Sequence, residues 1–387
     1  ATENGTQIET ITITENESAP VITLATSTAS VAENSLAIGD LPNALFAIIA
    51  TSSQVTNEDI TVTLSTSGSA TDGTDYTVAS GSSNNGNGSL GGQTITISAG
   101  ATTGTITGTP TDDSIYEDDE VATIAISDVS GGGATESGTQ SVSITITENE
   151  TAPTITLATS TASVAENSGT TITLTATASQ VADEDIIVTL STSGIATNGT
   201  DYTSVNSTTI TILAGATTET KSFAPTDDSV YEGDEATSVS ISSVSGGGAT
   251  ESGTQSVSIT ITEDESIPTI TMSASQTSAA ENSGTEVTLT LTTSQIADED
   301  IVVSLSASGT ISSSDYVSTS LSPSTITISA GSTTGTVSAT PSDDSIYEGD
   351  ESLTVSISSV SGADAVESGV QSITFTITEN ESAPVIT

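Results

Sequence analysis

Residues 143–168 read SITITENETAPTITLATSTASVAENS, and residues 10–35 read TITITENESAPVITLATSTASVAENS. The two stretches are almost identical and therefore mark an internal repeat. The Glu of each TEN or TED segment recurs with spacings of 133, 115 and 116 residues, at Glu15, Glu148, Glu263 and Glu379. Three complete copies of one module lie between these marks.

The repeat divides the chain into three modules with a partial module at each end. We predict the last strand of a preceding module at 1–17, module one at 18–151, module two at 152–266, module three at 267–382 and the start of a following module at 383–387. Module one is longer because it contains LAIGDLPNALF (36–46) and SGSSNNGNGSLGG (80–92), which are typical of loop or edge insertions. The chain therefore reads as an excerpt of a longer array.

Each module consists of short segments in which apolar and polar residues alternate. In module two these are APTITLATS, GTTITLTATAS, DIIVTLSTSG, STTITILAG, TTETKSFAPTD, EATSVSISSV and TQSVSITITE, which we name strands A to G. Gly, Asn, Asp or Pro bounds each segment, and the period of two is that of strands. We predict an all-β chain of tandem seven-stranded antiparallel β-sandwiches in an elongated array.

Composition and charge leave few classes of partner. The formal net charge is -49 and Lys221 is the only basic residue, so duplex nucleic acid and anionic membranes are repelled. The chain contains no His and no Cys, which removes thiolate zinc sites and the commonest general base. Its strongest apolar run, LFAIIA at 45–50, is too short to span a bilayer, so we expect no direct membrane insertion.

The acidic residues fall in particular loops. In an antiparallel path the A–B, C–D and E–F loops and the exit from strand G lie at one end of the sandwich. In module two these segments carry Glu166, Asp201, the acids of 227–235 and the triplet 263–265. Unneutralised carboxylates about 5 Å apart repel by roughly 3 kcal/mol per pair at an effective dielectric of 20. Clustered oxygen ligands without His or Cys favour calcium over zinc or magnesium, so we expect a calcium site.

The six tyrosines occupy two positions per module. A DY pair contains Tyr76, Tyr202 and Tyr316, and a DDS(I/V)YE(G/D)DE segment contains Tyr116, Tyr231 and Tyr347. Rare aromatic residues placed so regularly predict packing corners, and we expect all six to anchor the core.

Two other interpretations of the acids remain open. They could form a solvated face that only confers solubility, but the clustering by loop recurs in all three modules. They could include the paired carboxylates of a glycosidase, but that reaction needs a unique cleft, and the chain has three similar sites without an aromatic sugar platform. We therefore expect no enzymatic activity.

The motifs SVAENSG, GTDY and DDSxYEGDE, followed by a terminal acidic triplet, together resemble the Calx-beta domain. This is the calcium-sensing module of sodium-calcium exchangers and of many bacterial surface proteins and integrin subunits. The resemblance covers each whole module and implies an immunoglobulin-like sandwich that binds Ca²⁺. The triplets read ENE, EDE and ENE where the exchangers carry three Asp, so the number of ions per site stays open.

The resemblance also implies a set of calcium ligands in each module. In module one these are Glu33, Asp75, Asp112, Asp113, Glu117, Glu120, Glu148 and Glu150. In module two they are Glu166, Asp201, Asp227, Asp228, Glu232, Glu235, Glu263, Asp264 and Glu265. In module three they are Glu281, Asp315, Asp343, Asp344, Glu348, Glu351, Glu379 and Glu381.

The position of these acids suggests a role at the joints between modules. The cluster lies where strand G ends, a few residues before the next strand A. The B–C loop of the next module faces it with further acids, which are Glu58 and Asp59, Asp183 to Asp185, or Asp298 to Asp300. We expect calcium to fix the angle at each joint. The chain is then a stalk or spacer of a bacterial adhesin at the cell surface, whose partners are neighbouring modules of the same long chain. The alternative is a subunit of a self-assembling extracellular fibre, joined to other copies by strand exchange or β-augmentation.

Overall fold

The computed structural model describes residues 5–6, 8–14, 16–35, 46–79, 92–203, 208–317 and 324–386. Over these residues the chain is all-β, and its helical elements are two single 3-10 turns at Glu166–Ser168 and Glu281–Ser283. The predicted fold class is therefore confirmed. Neither turn has the length or the apolar character of a membrane-spanning helix. Both insertions predicted in module one lie outside the described residues, apart from Phe46 and Gly92.

The strands follow the repeat. Over its described residues module one contains β1 (Val21–Thr26), β2 (Ser30–Ala32), β3 (Phe46–Ser52), β4 (Ile60–Gly68), β5 (Tyr76–Ala79), β6 (Thr94–Ile97), β7 (Thr103–Pro110), β8 (Glu120–Ser130), β9 (Thr135–Glu136) and β10 (Ser141–Thr147). Module two contains β11 (Thr154–Thr159), β12 (Ser163–Ala165), β13 (Ile172–Ala178), β14 (Ile186–Gly194), β15 (Thr209–Ile212), β16 (Thr218–Phe223), β17 (Val230–Tyr231), β18 (Glu235–Ser245), β19 (Thr250–Glu251) and β20 (Ser256–Thr262). Module three contains β21 (Thr269–Ala274), β22 (Ser278–Ala280), β23 (Val287–Thr293), β24 (Ile296–Ala297), β25 (Ile301–Gly309), β26 (Tyr316–Val317), β27 (Thr325–Ile328), β28 (Thr334–Pro341), β29 (Glu351–Ser361), β30 (Val366–Glu367) and β31 (Ser372–Thr378).

Each module is a sandwich of two sheets. In module two one sheet has the order β16-β13-β11-β19, and the other has the order β12-β20-β18-β14-β15. Strands A, B and E thus form one layer, while strands C, D, F and G form the other. The antiparallel ladders between A and B, B and E, C and D, C and F, and F and G confirm the alternating path that places four acidic segments at one end.

Strand A is divided between the two sheets, which the alternation of residues does not predict. In module two β11 pairs antiparallel with strand B, and β12 then pairs parallel with strand G. The chain turns between them because the Thr159 hydroxyl donates to the carbonyl of Thr161 at 2.9 Å and the Thr161 hydroxyl donates to that of Ser163 at 2.6 Å. This crossing brings Glu166, which follows β12, beside the exit of strand G.

The core lies between the two sheets and follows the alternation of residues. Ile172, Leu174 and Ala176 of strand B are fully buried, while the Thr residues between them are half-buried. The DY tyrosines anchor this core as predicted: Tyr202 is buried, and its ring centroid lies 5.3 Å from that of Phe223. Tyr76 is buried in module one, and Tyr316 packs against the core of module three.

The prediction that all six tyrosines anchor the core is wrong for Tyr347, and the other two tyrosines of these loops pack on the next module rather than on their own. Tyr231 of module two is buried in the core of module three, and Tyr116 of module one lies against module two. Tyr347 of module three is 46% exposed. The reason is that the E–F loop extends past the end of its own sandwich, so what covers its aromatic ring is the neighbouring module.

Candidate metal centre

The first acid of each site is a buried glutamate that follows strand A. Glu33, Glu166 and Glu281 are only 5%, 5% and 7% exposed. In module two the 3-10 turn spans Glu166–Ser168 and is followed by Gly169, which has a left-handed φ of 60°. The Glu166 carboxylate accepts the backbone N–H of Asp228 at 3.2 Å, as Glu33 does from Asp113 at 3.3 Å. The A–B loop therefore holds the E–F loop directly.

The first acid of the terminal triplet holds the E–F loop from the other side. In module two Glu263 Oε2 accepts the backbone N–H groups of Glu232 at 2.5 Å and Gly233 at 2.8 Å. Its Oε1 accepts those of Asp264 and Glu265, both at 2.9 Å. Burial alone raises the pKa of the Glu263 carboxyl, but these donors together hold it below its usual value.

The predicted ligands of modules one and two fall into two groups per module. The triplet group joins the A–B glutamate to the terminal triplet, and it comprises Glu33, Glu148 and Glu150 in module one and Glu166, Glu263, Asp264 and Glu265 in module two. The C–D group joins the C–D aspartate to the E–F loop, and it comprises Asp75, Glu117 and Glu120 in module one and Asp201, Glu232 and Glu235 in module two. Within each group, one carboxylate oxygen of every member lies within 4.8 Å of the others.

Module three brings the corresponding acids together in a different grouping, and its E–F acids are more exposed. Glu281 groups with Asp344 and Glu348, and Glu351 lies within hydrogen-bond reach of Asp315. Glu379 accepts the backbone N–H groups of Glu348 at 2.6 Å and of Glu381 at 2.8 Å.

The remaining predicted ligands lie at the rim. Asp112, Asp227 and Asp343, the first acids of the E–F loops, are exposed. The charge of Asp112 contributes to the raised pKa of Glu150, after the neighbouring Glu148 carboxyl and burial. The second acid of each pair turns the loop, since Asp228 Oδ1 accepts the backbone N–H of Val230 at 2.7 Å. The second acid of each pair is exposed as well, and in module three the first acid, Asp343, accepts the Asn380 amide of the triplet at 3.3 Å.

The middle residue of the triplet differs between modules in what it contacts. In modules one and three it is an asparagine, and the Asn149 amide donates to Glu150 Oε1 at 2.8 Å. In module two it is Asp264, whose Oδ2 accepts the Asn167 amide at 2.6 Å. Module two therefore offers one more carboxylate than its neighbours in the triplet group.

Burial and mutual repulsion strongly perturb these carboxyl groups. Burial is the largest cause that raises the pKa of Glu33, Glu117, Glu166 and Glu232 to about 7. Burial, followed by the adjacent carboxyl of the C–D aspartate, raises the pKa of Glu120 and Glu235 to about 8. The groups thus take up protons near neutral pH when no cation compensates them.

Several carboxylate oxygens at these groups have no hydrogen-bond donor. Oε2 of Glu150, Glu235, Glu265 and Glu381 is buried and has no partner among the described residues. An unsatisfied buried polar atom costs about 1–3 kcal/mol. The one cationic side chain, Lys221, lies on β16 of module two, where its residue pairs with Leu174. The residues present therefore fit a hard divalent cation that takes oxygen ligands, and the triplet and C–D groups would hold it.

The joint between modules one and two is made by the E–F loop. The backbone N–H of Tyr116 donates to the Val181 carbonyl at 3.0 Å, and the N–H of Asp183 donates to the Tyr116 carbonyl at 3.1 Å. Tyr116 thereby forms a parallel bridge with Ala182 in the B–C loop of module two. The two modules are connected by backbone pairing as well as by their linker.

The joint between modules two and three repeats this pairing. Residues 230–231 (β17) pair in parallel with residues 296–297 (β24), in the register Val230 to Ile296 and Tyr231 to Ala297. The Tyr231 hydroxyl donates to Asp364 Oδ2 at 3.2 Å. At the earlier joint Gly248 occupies the place of Asp364, and the Tyr116 hydroxyl donates instead to Asp118 of its own loop. The pairing is common to both joints, while the contact of the phenol differs.

The B–C loops place acids beside the preceding module's site. Burial, and then the charge of Glu184, raise the pKa of Asp183, and Asp118 and Asp75 of module one add to this effect across the joint. Likewise, burial and then the charge of Glu299 raise the pKa of Asp298, and Asp201 of module two adds to this effect across the second joint. The third acid of each loop has another role, since Asp185 accepts the backbone N–H of Ala214 at 2.8 Å. The ligand sets implied by the family resemblance omit Asp183 and Asp298, because each of these residues belongs to the module that follows the site. Their position in the B–C loop that faces the junction is the sequence feature that could have identified them.

The chain matches one family model and is similar to several solved structures. The model of the Calx-beta domain matches residues 15–150, 148–265 and 263–381. No curated protein matches the chain in sequence. The chain is similar to the solved structure of CBD12 from CALX1.2, with 15% identity over 57% of this chain and 99% of that chain and a TM-score of 0.27. For the calcium binding domain CBD12 of CALX1.1, the sequence identity is 15% over 56% of this chain and 77% of that chain, with a TM-score of 0.24. The chain is also similar to the structure of invasin, a bacterial integrin-binding protein, with 13% sequence identity over 93% of this chain and 60% of that chain and a TM-score of 0.26.

Proposed function

The chain belongs to the Calx-beta family, and on that premise we propose that it is a calcium-binding stalk or spacer region of an extracellular bacterial adhesin whose joints are set by calcium. One observation carries the proposal. Each tyrosine that seats on the next module stands between two predicted ligands of its own module: Tyr116 lies between Asp113 and Glu117, and Tyr231 lies between Asp228 and Glu232. The cation site and the joint therefore share one loop.

The chain's own residues explain how the site acts on the joint. The buried A–B glutamate accepts an N–H at the start of the E–F loop, and the first triplet glutamate accepts N–H groups just after the tyrosine. In module two these two clamps hold both ends of residues 229–231, of which Val230 and Tyr231 pair with the next B–C loop. The clamps are carboxylates, and they hold their geometry best when ionised and free of mutual repulsion.

Calcium would supply the positive charge that lets these carboxylates remain ionised at close range. Ordering of the loop and seating of the tyrosine are then linked to occupancy, since a ligand at 100 times its dissociation constant adds about 2.7 kcal/mol to the state it binds. The acids Asp183 and Asp298 on the receiving loops extend the linkage to the following module.

The same proposal covers the class of protein, its partners and its location. A spacer repeats one site and one joint along its length, and here the corresponding acids recur in all three modules and the backbone pairing recurs at both joints, whereas a catalytic centre needs one cleft. We propose a non-enzymatic role outside the cell, with neighbouring modules of one long chain as partners. The high negative charge supports solubility and a calcium-rich setting rather than contact with nucleic acid or membrane.

Calorimetry and scattering test the proposal together. Isothermal titration of the chelator-treated chain with calcium should give saturable binding, and small-angle scattering of the same sample should show a better defined and longer maximum dimension with calcium than with chelator. Absence of calcium binding would sink the site assignment. Binding without any change in scattering would sink the role in the joints.

A further inference from the structure

The C–D groups of modules one and two each lie beside an acid of the module that follows. We propose that Asp183 and Asp298, in the B–C loops of modules two and three, are direct ligands of a calcium ion in the C–D groups of modules one and two. The inference rests on the proposed function and deepens it, because it assigns ligands from two modules to one ion.

The pairing at the second joint sets this acid opposite a member of the group. Tyr231 pairs in parallel with Ala297, and the backbone N–H of Asp298 donates to the Tyr231 carbonyl at 3.2 Å. The next residues in this register are Glu232 and Asp298, and Glu232 belongs to the C–D group. Paired strands lie about 4.8 Å apart, so one cation between the two carboxylates can contact both.

The first joint has the same register. Tyr116 forms a parallel bridge with Ala182, and the backbone N–H of Asp183 donates to the Tyr116 carbonyl at 3.1 Å. Glu117 therefore stands opposite Asp183, and the two carboxyl groups affect each other. Burial, and then the charge of Asp75, raise the pKa of Glu117, and the charge of Asp183 adds to this effect across the joint.

A cation gives this arrangement a physical reason. Like charges directly opposite each other destabilise adjacent strands, yet both joints place two acids in these positions. Calcium takes roughly six to eight oxygen ligands, and the C–D group of module two supplies three carboxylates, from Asp201, Glu232 and Glu235. Within the described residues, Oε2 of Glu235 is buried without a hydrogen-bond partner. Asp298 adds a fourth carboxylate to a group that already has an unsatisfied ligand atom.

The neighbouring acids of the B–C loop provide a matched control. Glu184 carries the same charge one residue beyond Asp183 but is outside the register position opposite Glu117. Glu184→Gln therefore removes one charge from the same loop, and any effect of the general field is common to it and to Asp183→Asn.

The Asp183→Asn variant is expected to fold, because module one has Asn57 at the equivalent position. In that loop the backbone N–H of Gly100 donates to the Thr56 carbonyl at 2.8 Å, as the N–H of Gly215 donates to the Ala182 carbonyl at 2.9 Å in module two. The loop keeps its backbone contacts with either residue.

Hydrogen exchange of the full chain during a calcium titration measures each group separately. Amides of residues 71–75 report the C–D group of module one, because the Thr71 N–H donates to Asp75. Amides of 197–201 report the C–D group of module two in the same molecule, and amides of 148–150 report the triplet group of module one.

In Asp183→Asn we expect the calcium midpoint for residues 71–75 to rise at least about tenfold, a loss that even partners outside the ligand shell produce. The midpoints for 148–150 and 197–201 should stay unchanged, and Glu184→Gln should leave all three unchanged. In chelator, the amide of residue 183 should exchange no faster in Asp183→Asn than in the unmodified chain, because a lost ligand does not weaken the backbone pairing.

Equal midpoints for residues 71–75 in Asp183→Asn and Glu184→Gln would overturn the ligand role. Faster exchange of amide 183 in chelator would also overturn it, since Asp183 would then hold the joint without calcium. Absence of calcium-dependent protection in the unmodified chain would instead contradict the calcium sites of the proposed function, so the two failures are distinguishable.

Discussion

Gly248 of module two lies directly against the ring of Tyr116 of module one. A Cβ atom added to Gly248 would fall within 3.0 Å of Cε1, Cζ and Oη of that ring. The equivalent Gly133 of module one has no atom within 4 Å of its Cβ position, and its φ of 63° is close to the 56° of Gly248. The two glycines therefore share a backbone conformation and differ in the joint.

This pair gives a matched test of the joint. Gly248→Ala should displace Tyr116 and widen the distribution of angles between modules one and two, because the new methyl group occupies the place of the ring. Gly133→Ala should leave the joint unchanged, and both variants should show the same backbone strain, about 1 kcal/mol for a left-handed residue. Small-angle scattering in calcium measures the difference, and identical profiles for the two variants would show that the ring contact does not hold the joint.

The tyrosines themselves give a second matched pair. Tyr231→Ala should destabilise module three by about 3 kcal/mol, because it removes a buried aromatic side chain from that module's core. Tyr347→Ala should change the stability of its own module by less than about 0.5 kcal/mol, because the residue is largely exposed. Hydrogen exchange of the amides in β25 reports the stability of module three in both variants. Faster exchange in Tyr347→Ala than in Tyr231→Ala would contradict the assignment of Tyr231 to the neighbouring core.

The strands and the clustering of the acids could be predicted from the sequence, but the different burial of Tyr231 and Tyr347 could not. The alternation of residues and the turn residues suffice for the strands, and the antiparallel path suffices to bring Glu166, Asp201 and Glu263 to one end. The burial of Tyr231 cannot be predicted in this way, because its segment is nearly the same in all three modules and the surface that covers its ring belongs to module three. Tyr347 has almost the same local sequence and is exposed.

The sequence also could not show which acids face a cation group and which accept backbone N–H groups of the loops. Asp183 and Asp185 stand two residues apart in the same loop, yet one faces the preceding site and the other caps the backbone of Ala214. Likewise Asp234 does not join the groups described above; it accepts the backbone N–H of Glu263 at 3.0 Å. Such differences depend on the path of the loop backbone, which loop parity does not resolve.

Glu235 should be required for calcium binding but not for folding. Its Oε2 is buried without a partner and burial raises its pKa to about 8, so Glu235→Gln resembles the protonated state of the calcium-free protein. We expect the calcium affinity of module two to fall at least about tenfold, with unchanged or higher stability in chelator. Glu219→Gln removes the same charge from exposed strand E and should leave calcium binding intact. Calorimetry compares them, and equal affinities would remove Glu235 from the site.

Stability and calcium binding should depend on pH in opposite directions. A carboxyl whose folded pKa is raised from 4.5 to about 7 or 8, as for Glu33, Glu120, Glu166 and Glu235, contributes stability that is full below pH 4.5 and is lost as the pH rises through 7 to 8. In chelator, the urea midpoint should therefore fall between pH 5 and pH 8. Glu379 behaves in the opposite way, because its backbone N–H donors lower its pKa to about 2. Its contribution to stability is lost only as the pH falls below 4.5, which is outside this window.

In calcium the trend should reverse, because the ion binds the deprotonated carboxylates. Affinity should rise from pH 5 to pH 8, and binding near pH 7 should release protons, which appears in calorimetry as a heat that depends on the buffer's ionisation enthalpy. A chelator-treated protein that becomes more stable with rising pH would contradict the raised pKa values.

If one loop serves both the cation site and the joint, removal of calcium should loosen the first joint, and a distance measured across that joint shows whether it does. Spin labels at Ser141→Cys of module one and Thr218→Cys of module two, both exposed positions in a chain without other cysteines, report the separation of the two modules by pulsed electron resonance. We expect a single narrow distance distribution in calcium and a broader one in chelator. A distribution of the same width in both conditions would contradict it.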